Sequence, residues 1–189
     1  TALPLGDIFG PQLRKVADLA RKYVKETIRS TVEQNLVLRW VSNADLPAVY
    51  AELNEAGLAS PTAETIVDVA SCPGTDTCKL GIASSRGLAG ELREQLGLKS
   101  AGLDQAVKNL RIKISGCFNS CGQHHVADIG FYGNSRNIGG YTVPHFQVML
   151  GGMWVENGGS YALAMGSVPS KRIPALVYSL TDRYVKERQ

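Results

Sequence analysis

The chain has no run of 18 or more apolar residues, so nothing in it reads as a membrane-spanning helix. Its first residues, Thr1-Ala2-Leu3-Pro4-Leu5-Gly6, lack the charged start and long apolar core of a secretory signal. The cytoplasm is therefore the expected compartment. The sequence does not begin with Met, which points to a processed chain or a piece of a longer one. An excess of charge is also missing. With 20 Lys and Arg against 17 Asp and Glu, the net charge is +3, compatible with a small anionic ligand but too small to indicate nucleic acid. There is no repeat of 20–50 residues and no low-complexity tract. Cysteine is scarce too, at four in 189 residues, which with no secretion signal argues against a disulfide-built fold.

What remains is an ordinary globular composition, 44% apolar and 20% charged, long enough for one large domain or two small ones. In 11–24 the apolar residues Leu13, Val16, Ala17, Ala20 and Val24 form the stripe of an amphipathic helix. Two short strands are expected at 27–32 and 35–41, joined tightly through Glu33-Gln34. In the second, Leu36, Leu38 and Trp40 would share one face. A helix through Leu46, Val49, Leu53 and Ala56, capped by Asn43 or Asp45, should stop at Gly57. Ser60-Pro61 marks a boundary. Beyond it the pattern predicts a strand at 65–69, a helix bearing Leu88, Leu92 and Leu96, and a strand at 110–114. Further strands are expected at 128–132, 145–150 and 161–165, then a closing helix with Ile173, Leu176, Val177 and Leu180. The expectation is an α+β chain: an α-β-β-α unit over 1–60 and a mixed α/β unit over 61–189.

The four cysteines fall in two pairs, Cys72–Cys78 and Cys117–Cys121, each placed just after a predicted strand, where ligand sites of α/β units commonly lie. Four thiolates complete the coordination shell of a metal centre. The C-x5-C loop is long for a zinc knuckle, whose arms run C-x2-C to C-x4-C. C-x3-C would set its two thiols on one side of a helical turn. Gly74, Gly81, Gly116 and Gly122 allow backbone N–H groups to approach sulfur, and such donors raise a cluster's potential. On spacing, an iron–sulfur cluster leads, structural zinc follows, and buried or disulfide-bonded cysteines come last.

The segments Cys72-Pro73-Gly74-Thr75-Asp76-Thr77-Cys78-Lys79-Leu80-Gly81 and Ile114-Ser115-Gly116-Cys117-Phe118-Asn119-Ser120-Cys121-Gly122-Gln123-His124-His125 resemble the sirohaem and iron–sulfur sulfite and nitrite reductases. Residues 27–36 resemble that family's ferredoxin-like half-domain, and 127–131 and 168–171 are similar to its C-terminal region. The resemblance covers essentially the whole chain. It implies a ferredoxin-like half-domain followed by a mixed α/β nitrite/sulfite reductase 4Fe-4S domain. It further implies that Cys72, Cys78, Cys117 and Cys121 bind a 4Fe-4S cluster, with Cys121 also bridging to the iron of sirohaem. The activity implied is six-electron reduction of sulfite to sulfide or of nitrite to ammonia. Ferredoxin or a flavoprotein would deliver the electrons, with no role for nucleic acid or membrane. Members of the family are usually built from two such copies, and this chain corresponds to the second, so an N-terminal half or a second subunit is the expected partner. The competing readings are an iron–sulfur electron-transfer module without sirohaem and a structural zinc domain.

Sirohaem carries many carboxylates, so a pocket for it needs amide and cationic donors. Gln34, Asn35, Lys79, Asn119 and Gln123 stand in the family-like segments and are the candidates, Asn119 first because it lies between two ligands. Thr75 and Thr77 either donate to the cluster or shape the turn, and Arg29 and Arg39 either face the haem or are solvated. His124 and His125 are either cofactor contacts or a helix-surface pair, while His145 and Lys171-Arg172 read as structural and surface residues.

Overall fold

The computed structural model describes residues 1–154 and 159–188. It comprises two compact units, Thr1–Ala63 and Glu64–Gln189. Among the described residues, no helix is long and apolar enough to cross a membrane.

In the first unit, α1 (Gly10–Tyr23) starts with Pro11 in its first turn and with the Gln12 amide oxygen accepting the Phe9 N–H at 3.1 Å. Its inner face buries Val16, Leu19 and Ala20. Lys25 and Glu26, both left-handed, turn the chain into β1 (Ile28–Ser30), which pairs antiparallel with β2 (Leu36–Leu38). α2 (Leu46–Glu55) follows and stops where Gly57 adopts φ +68°. Leu3, Val16 and Leu58 form the core, with Ile8, Ile28, Leu36, Leu53 and Ala56 packed around them. Glu52 of α2 clamps the two helices, accepting from Lys15 Nζ at 2.9 Å, Lys22 Nζ at 2.8 Å and Tyr23 Oη at 2.9 Å. These donors lower its carboxyl pKa to about 2.

Three expectations for this unit change. The strands are three residues each rather than six or seven. Trp40 is left-handed and 82% exposed, so it does not share an inner face with Leu36 and Leu38. Neither Asn43 nor Asp45 caps α2 with its side chain. Asp45 stands at the N-cap, but its carboxylate instead accepts the Ser42 hydroxyl at 2.7 Å.

The second unit is a five-stranded sheet in the order β3-β4-β5-β6-β7. β3 (Ala70–Ser71), β4 (Ile112–Ser115) and β5 (Ile129–Ile138) run parallel, and β6 (Tyr141–Leu150) and β7 (Leu163–Pro169) continue antiparallel. α3 (Ser85–Lys99) and the single turn α4 (Gln105–Lys108) lie in the crossover from β3 to β4, and α5 (Ile173–Glu187) closes the chain. All four residues of β4 are buried, as befits a parallel strand covered on both faces. The Arg93 guanidinium of α3 meets the buried Asp68 carboxylate at 3.1 Å, fastening the helix to the segment that enters β3.

Residues 65–69 are a bend, a turn and irregular chain rather than the expected strand. Ile66, Val67, Asp68 and Val69 are buried one after another, without the alternation a strand shows, and the Ile66 N–H donates to Lys108 O at 2.9 Å. The strand proper is only Ala70–Ser71.

Candidate metal and cofactor site

Because β3 and β4 are adjacent and parallel, the loops that leave their C-terminal ends emerge side by side. Cys72 directly follows Ser71 of β3, and Gly116-Cys117 directly follows Ser115 of β4. The two cysteine pairs, 45 residues apart at their first members, are thereby brought together. Cys72 N–H donates to Ile114 O at 3.1 Å, and Gly116 N–H donates to Cys72 Sγ at 3.1 Å. The Gly116 carbonyl in turn accepts both Ile82 N–H at 2.9 Å and Ala83 N–H at 3.0 Å, so the far end of the first loop also rests on the second.

Glycine is required at this crossing. A Cβ on Gly116 would lie 2.6 Å from Gly74 Cα, and one on Gly74, which has φ +55°, would lie 2.2 Å from Ser85 Oγ. Gly116→Ala is expected to destabilise the second unit by about 1–3 kcal/mol, the usual cost of overpacking a filled site. A denaturant titration of that unit checks it, and an unchanged midpoint would contradict the interlock.

All four cysteines are free thiols; Cys72 and Cys117 are buried, Cys78 and Cys121 exposed. The disulfide reading therefore fails. Among the described residues, no three His, Cys, Asp or Glu side chains are grouped closely enough to share one metal ion. A single zinc would hold its thiolates about 3.8 Å apart, given Zn–S of about 2.3 Å in a tetrahedron. A four-iron cluster takes one thiolate per iron, so its cysteines stand farther apart around a larger body. The donor set, four free soft thiols on two interlocked loops with a backbone N–H already aimed at sulfur, fits that larger group.

The C-x3-C segment is not the helical turn its spacing predicts. Residues 116–122 form bends and turns, and Ser120 (φ +60°) and Gln123 (φ +59°) are left-handed. Without a helix, the i, i+4 spacing of Cys121 and His125 does not set the two on one face. The helix-surface reading of the histidine pair is overturned for His124, which is wholly buried in a short 3₁₀ turn. Its Nδ1 lies 2.8 Å from Ser115 Oγ, which also accepts the Gly122 N–H at 3.0 Å. Its ring is 4.1 Å from that of half-buried His125 and 4.9 Å from that of Tyr132. Burial, with His125 adding a smaller like-charge effect, lowers its pKa to about 4, so it is neutral at neutral pH.

Among the candidate donors, Asn119 and Lys79 are exposed within the cysteine loops. Gln123 is exposed as well, and its Oε1 accepts from the Lys113 ammonium at 3.1 Å. Gln34 belongs to the first unit, at the left-handed turn between β1 and β2. Asn35 is buried there, with Oδ1 accepting the Leu3 N–H at 2.7 Å, so its carbonyl oxygen is committed to its own unit's packing. Thr75 and Thr77 are exposed on the first cysteine loop. Arg29 lies on β1, and Arg39 follows β2 with its guanidinium 5.0 Å from the Trp40 ring. His145 is buried, with Nδ1 2.9 Å from Val143 O, and Lys171 and Arg172 are exposed in a 3₁₀ turn.

Three residues near the cysteines escaped the sequence reading. Lys113 is 1% exposed, in the middle of β4, with its ammonium 5.6 Å from the Trp154 ring. Like Arg111 it alternates with apolar neighbours, Leu110, Ile112 and Ile114, a pattern that reads as a solvent-facing strand position, and its burial is the departure. Ser85 and Ser115, both buried, carried no signal, since serine is neutral in either pattern.

Residues 1–56 match the family model for the nitrite/sulfite reductase ferredoxin-like half domain, and residues 62–189 match that for the nitrite and sulphite reductase 4Fe-4S domain. The chain is similar to sulfite reductase [ferredoxin] 2 of Mycolicibacterium paratuberculosis, at 34% identity over 97% of this chain and 34% of that protein. It is also similar to the chloroplastic ferredoxin–nitrite reductase of Zea mays, at 30% identity over 96% of this chain and 32% of that protein. The solved NirA protein of Mycobacterium tuberculosis superposes with a TM-score of 0.84 and 30% identity, covering 100% of this chain and 35% of that one. Dissimilatory sulfite reductase I shares the fold at 9% identity, with a TM-score of 0.68. The chain thus spans about a third of the length of the curated relatives it matches. With both of its units matched in order, the chain belongs to the nitrite and sulfite reductase family, as a ferredoxin-like half-domain followed by a 4Fe-4S domain.

Proposed function

We propose that the chain is the C-terminal part of a sirohaem-dependent reductase that converts sulfite to sulfide or nitrite to ammonia. Cys72, Cys78, Cys117 and Cys121 would hold a 4Fe-4S cluster, and Cys121 would also bridge to the sirohaem iron. Asn119, Gln123, Gln34 and Lys79 would donate to sirohaem carboxylates. When bound, the two cofactors supply the six-electron redox chemistry. The observation that carries the reading is the hydrogen bond from Gly116 N–H to Cys72 Sγ, which joins the two distant cysteine segments.

The chain's own residues have distinct tasks in such a site. The Gly116 N–H stabilises negative charge on Cys72. Lys113 fixes the Gln123 side chain by a charge-assisted bond just beyond Cys121. His124, bound to Ser115, whose hydroxyl also holds the Gly122 N–H, braces the turn that follows Cys121.

Ferredoxin as electron donor is supported by the names of the relatives, sulfite reductase [ferredoxin] among them. A further half of the enzyme is supported by exposed apolar side chains on the cysteine loops, Leu80 at 67% and Phe118 at 67%. Tyr161, Leu163 and Met165, at 79%, 73% and 62%, expose a second apolar stripe at and beside the edge strand β7.

The test is the visible absorption spectrum of the complete reductase containing this chain. A haem Soret band together with broad cluster absorption is expected. Cluster absorption alone would favour an electron-transfer module, and a colourless, iron-free protein would overturn both.

A further inference from the structure

Cys72 differs from an ordinary buried thiol in the polar groups set around it. Its Sγ accepts the Gly116 N–H at 3.1 Å and lies 3.5 Å from Ser85 Oγ. The same hydroxyl lies 2.8 Å from the Cys72 carbonyl oxygen, to which it donates. Ser85 is 0% exposed and is the first residue of α3, a helix of 15 residues whose N-cap is Ser84, with Ser84 Oγ accepting the Gly87 N–H at 3.2 Å. The positive end of the α3 dipole therefore stands at the same sulfur.

A free Cys72 thiol has a proton of its own, and either member of the Ser85–Cys72 pair can donate. A metal-bound Cys72 has none, so the Ser85 hydroxyl carries the pair's only proton. That proton then has two acceptors within reach, the carbonyl oxygen and the sulfur. As negative charge accumulates on the sulfur, the charged acceptor becomes the stronger one.

We propose that Ser85 is a positioning residue that tunes the cluster: its hydroxyl turns toward Cys72 Sγ as an electron is added and so raises the reduction potential. The inference rests on the reading of Cys72 as a cluster ligand. Hydrogen bonds to cluster sulfurs raise the potential because they favour the more negative state. Ser85 does this from behind the cysteine loop, on the core side of Cys72, and requires no contact with substrate.

The experiment is a redox titration of the complete reductase, following the reduced cluster by electron paramagnetic resonance, with iron and sulfide measured on each sample. Ser85→Ala should retain its iron while shifting the oxidised-to-reduced ratio at fixed potential about tenfold toward oxidised, equivalent to about 59 mV for one electron. Ser85→Thr, which keeps the hydroxyl, should titrate like wild type. An unshifted Ser85→Ala with full iron overturns the role of Ser85 and leaves the cluster reading standing. Loss of iron from Ser85→Ala overturns it too, because the hydroxyl would then be a structural support of the loop. A Ser85→Thr curve that follows Ser85→Ala does the same. A wild-type enzyme without iron overturns both the inference and the cluster reading beneath it.

Discussion

Cys72→Ser is expected to leave the second unit folded and to strip the enzyme of its iron. Serine is nearly isosteric with cysteine, so the Gly116 N–H keeps an acceptor at the place where Cys72 Sγ now receives it at 3.1 Å. Cys72 N–H still pairs with Ile114 O, and Ser85 Oγ still donates to the carbonyl of residue 72. What disappears is a soft thiolate, for which a hard hydroxyl is a poor substitute on iron. Loss of an outer-shell partner already costs about 10–100-fold in metal affinity, and loss of a direct ligand should exceed that. Iron per chain and the broad visible absorption should both fall by more than tenfold, while the apo form still unfolds in one cooperative denaturant transition. Wild-type iron content in this variant would remove Cys72 from the ligand set.

The long amphipathic helices were legible because burial on one side writes a 3.6-residue period into α1, α3 and α5. The hairpin of β5 and β6 was less so. Its tip, with Asn134, Ser135, Arg136, Asn137 and Thr142, is polar and half-buried or exposed, so the pattern showed only the buried bases at 128–132 and 145–150. A stronger clue stood in Gly139-Gly140. Their φ values of +59° and +85° let two residues join Ile138 to Tyr141. The opposite failure occurred at 65–69, where Ile66, Val67, Asp68 and Val69 are buried one after another in a turn and irregular chain.

Within the site, the cysteines were readable because their chemistry is rare and their flanks are glycine-rich. The contacts that support them were not. Ser85 is positioned by the helix it begins, and Lys113 is matched to Gln123 only because Ser120 and Gln123 adopt left-handed backbone that no spacing rule anticipates. The same two residues defeat the helical reading of C-x3-C. That is a tertiary effect: the turn must fold Gly122 back onto Ile114, where a Cβ would lie 2.2 Å from the carbonyl oxygen.

This turn also separates the expected consequences of losing the two outermost ligand candidates of the chain. Cys121 is exposed, follows the left-handed Ser120, and precedes the buried Gly122. Cys121→Ser should therefore unfold nothing: the Gly122 N–H remains on Ser115 Oγ and Gln123 remains on Lys113. Thermal unfolding should match wild type within about 0.5 kcal/mol, as for exposed substitutions in general. Activity should respond very differently if Cys121 is the thiolate shared between the cluster and sirohaem. Turnover of sulfite or nitrite by the complete enzyme should fall below about one-hundredth of wild type, at least the loss that removal of an outer-shell partner reaches. The Soret band should shift at the same time, since Cys121 would no longer hold the haem. The readings diverge here, since in a module without sirohaem Cys121→Ser would alter cluster absorption alone. Wild-type turnover with an unmoved Soret band would refute the bridge. Loss of turnover with an unmoved band would confine Cys121 to the cluster, so the pair of measurements assigns the exposed thiol to one cofactor or to two.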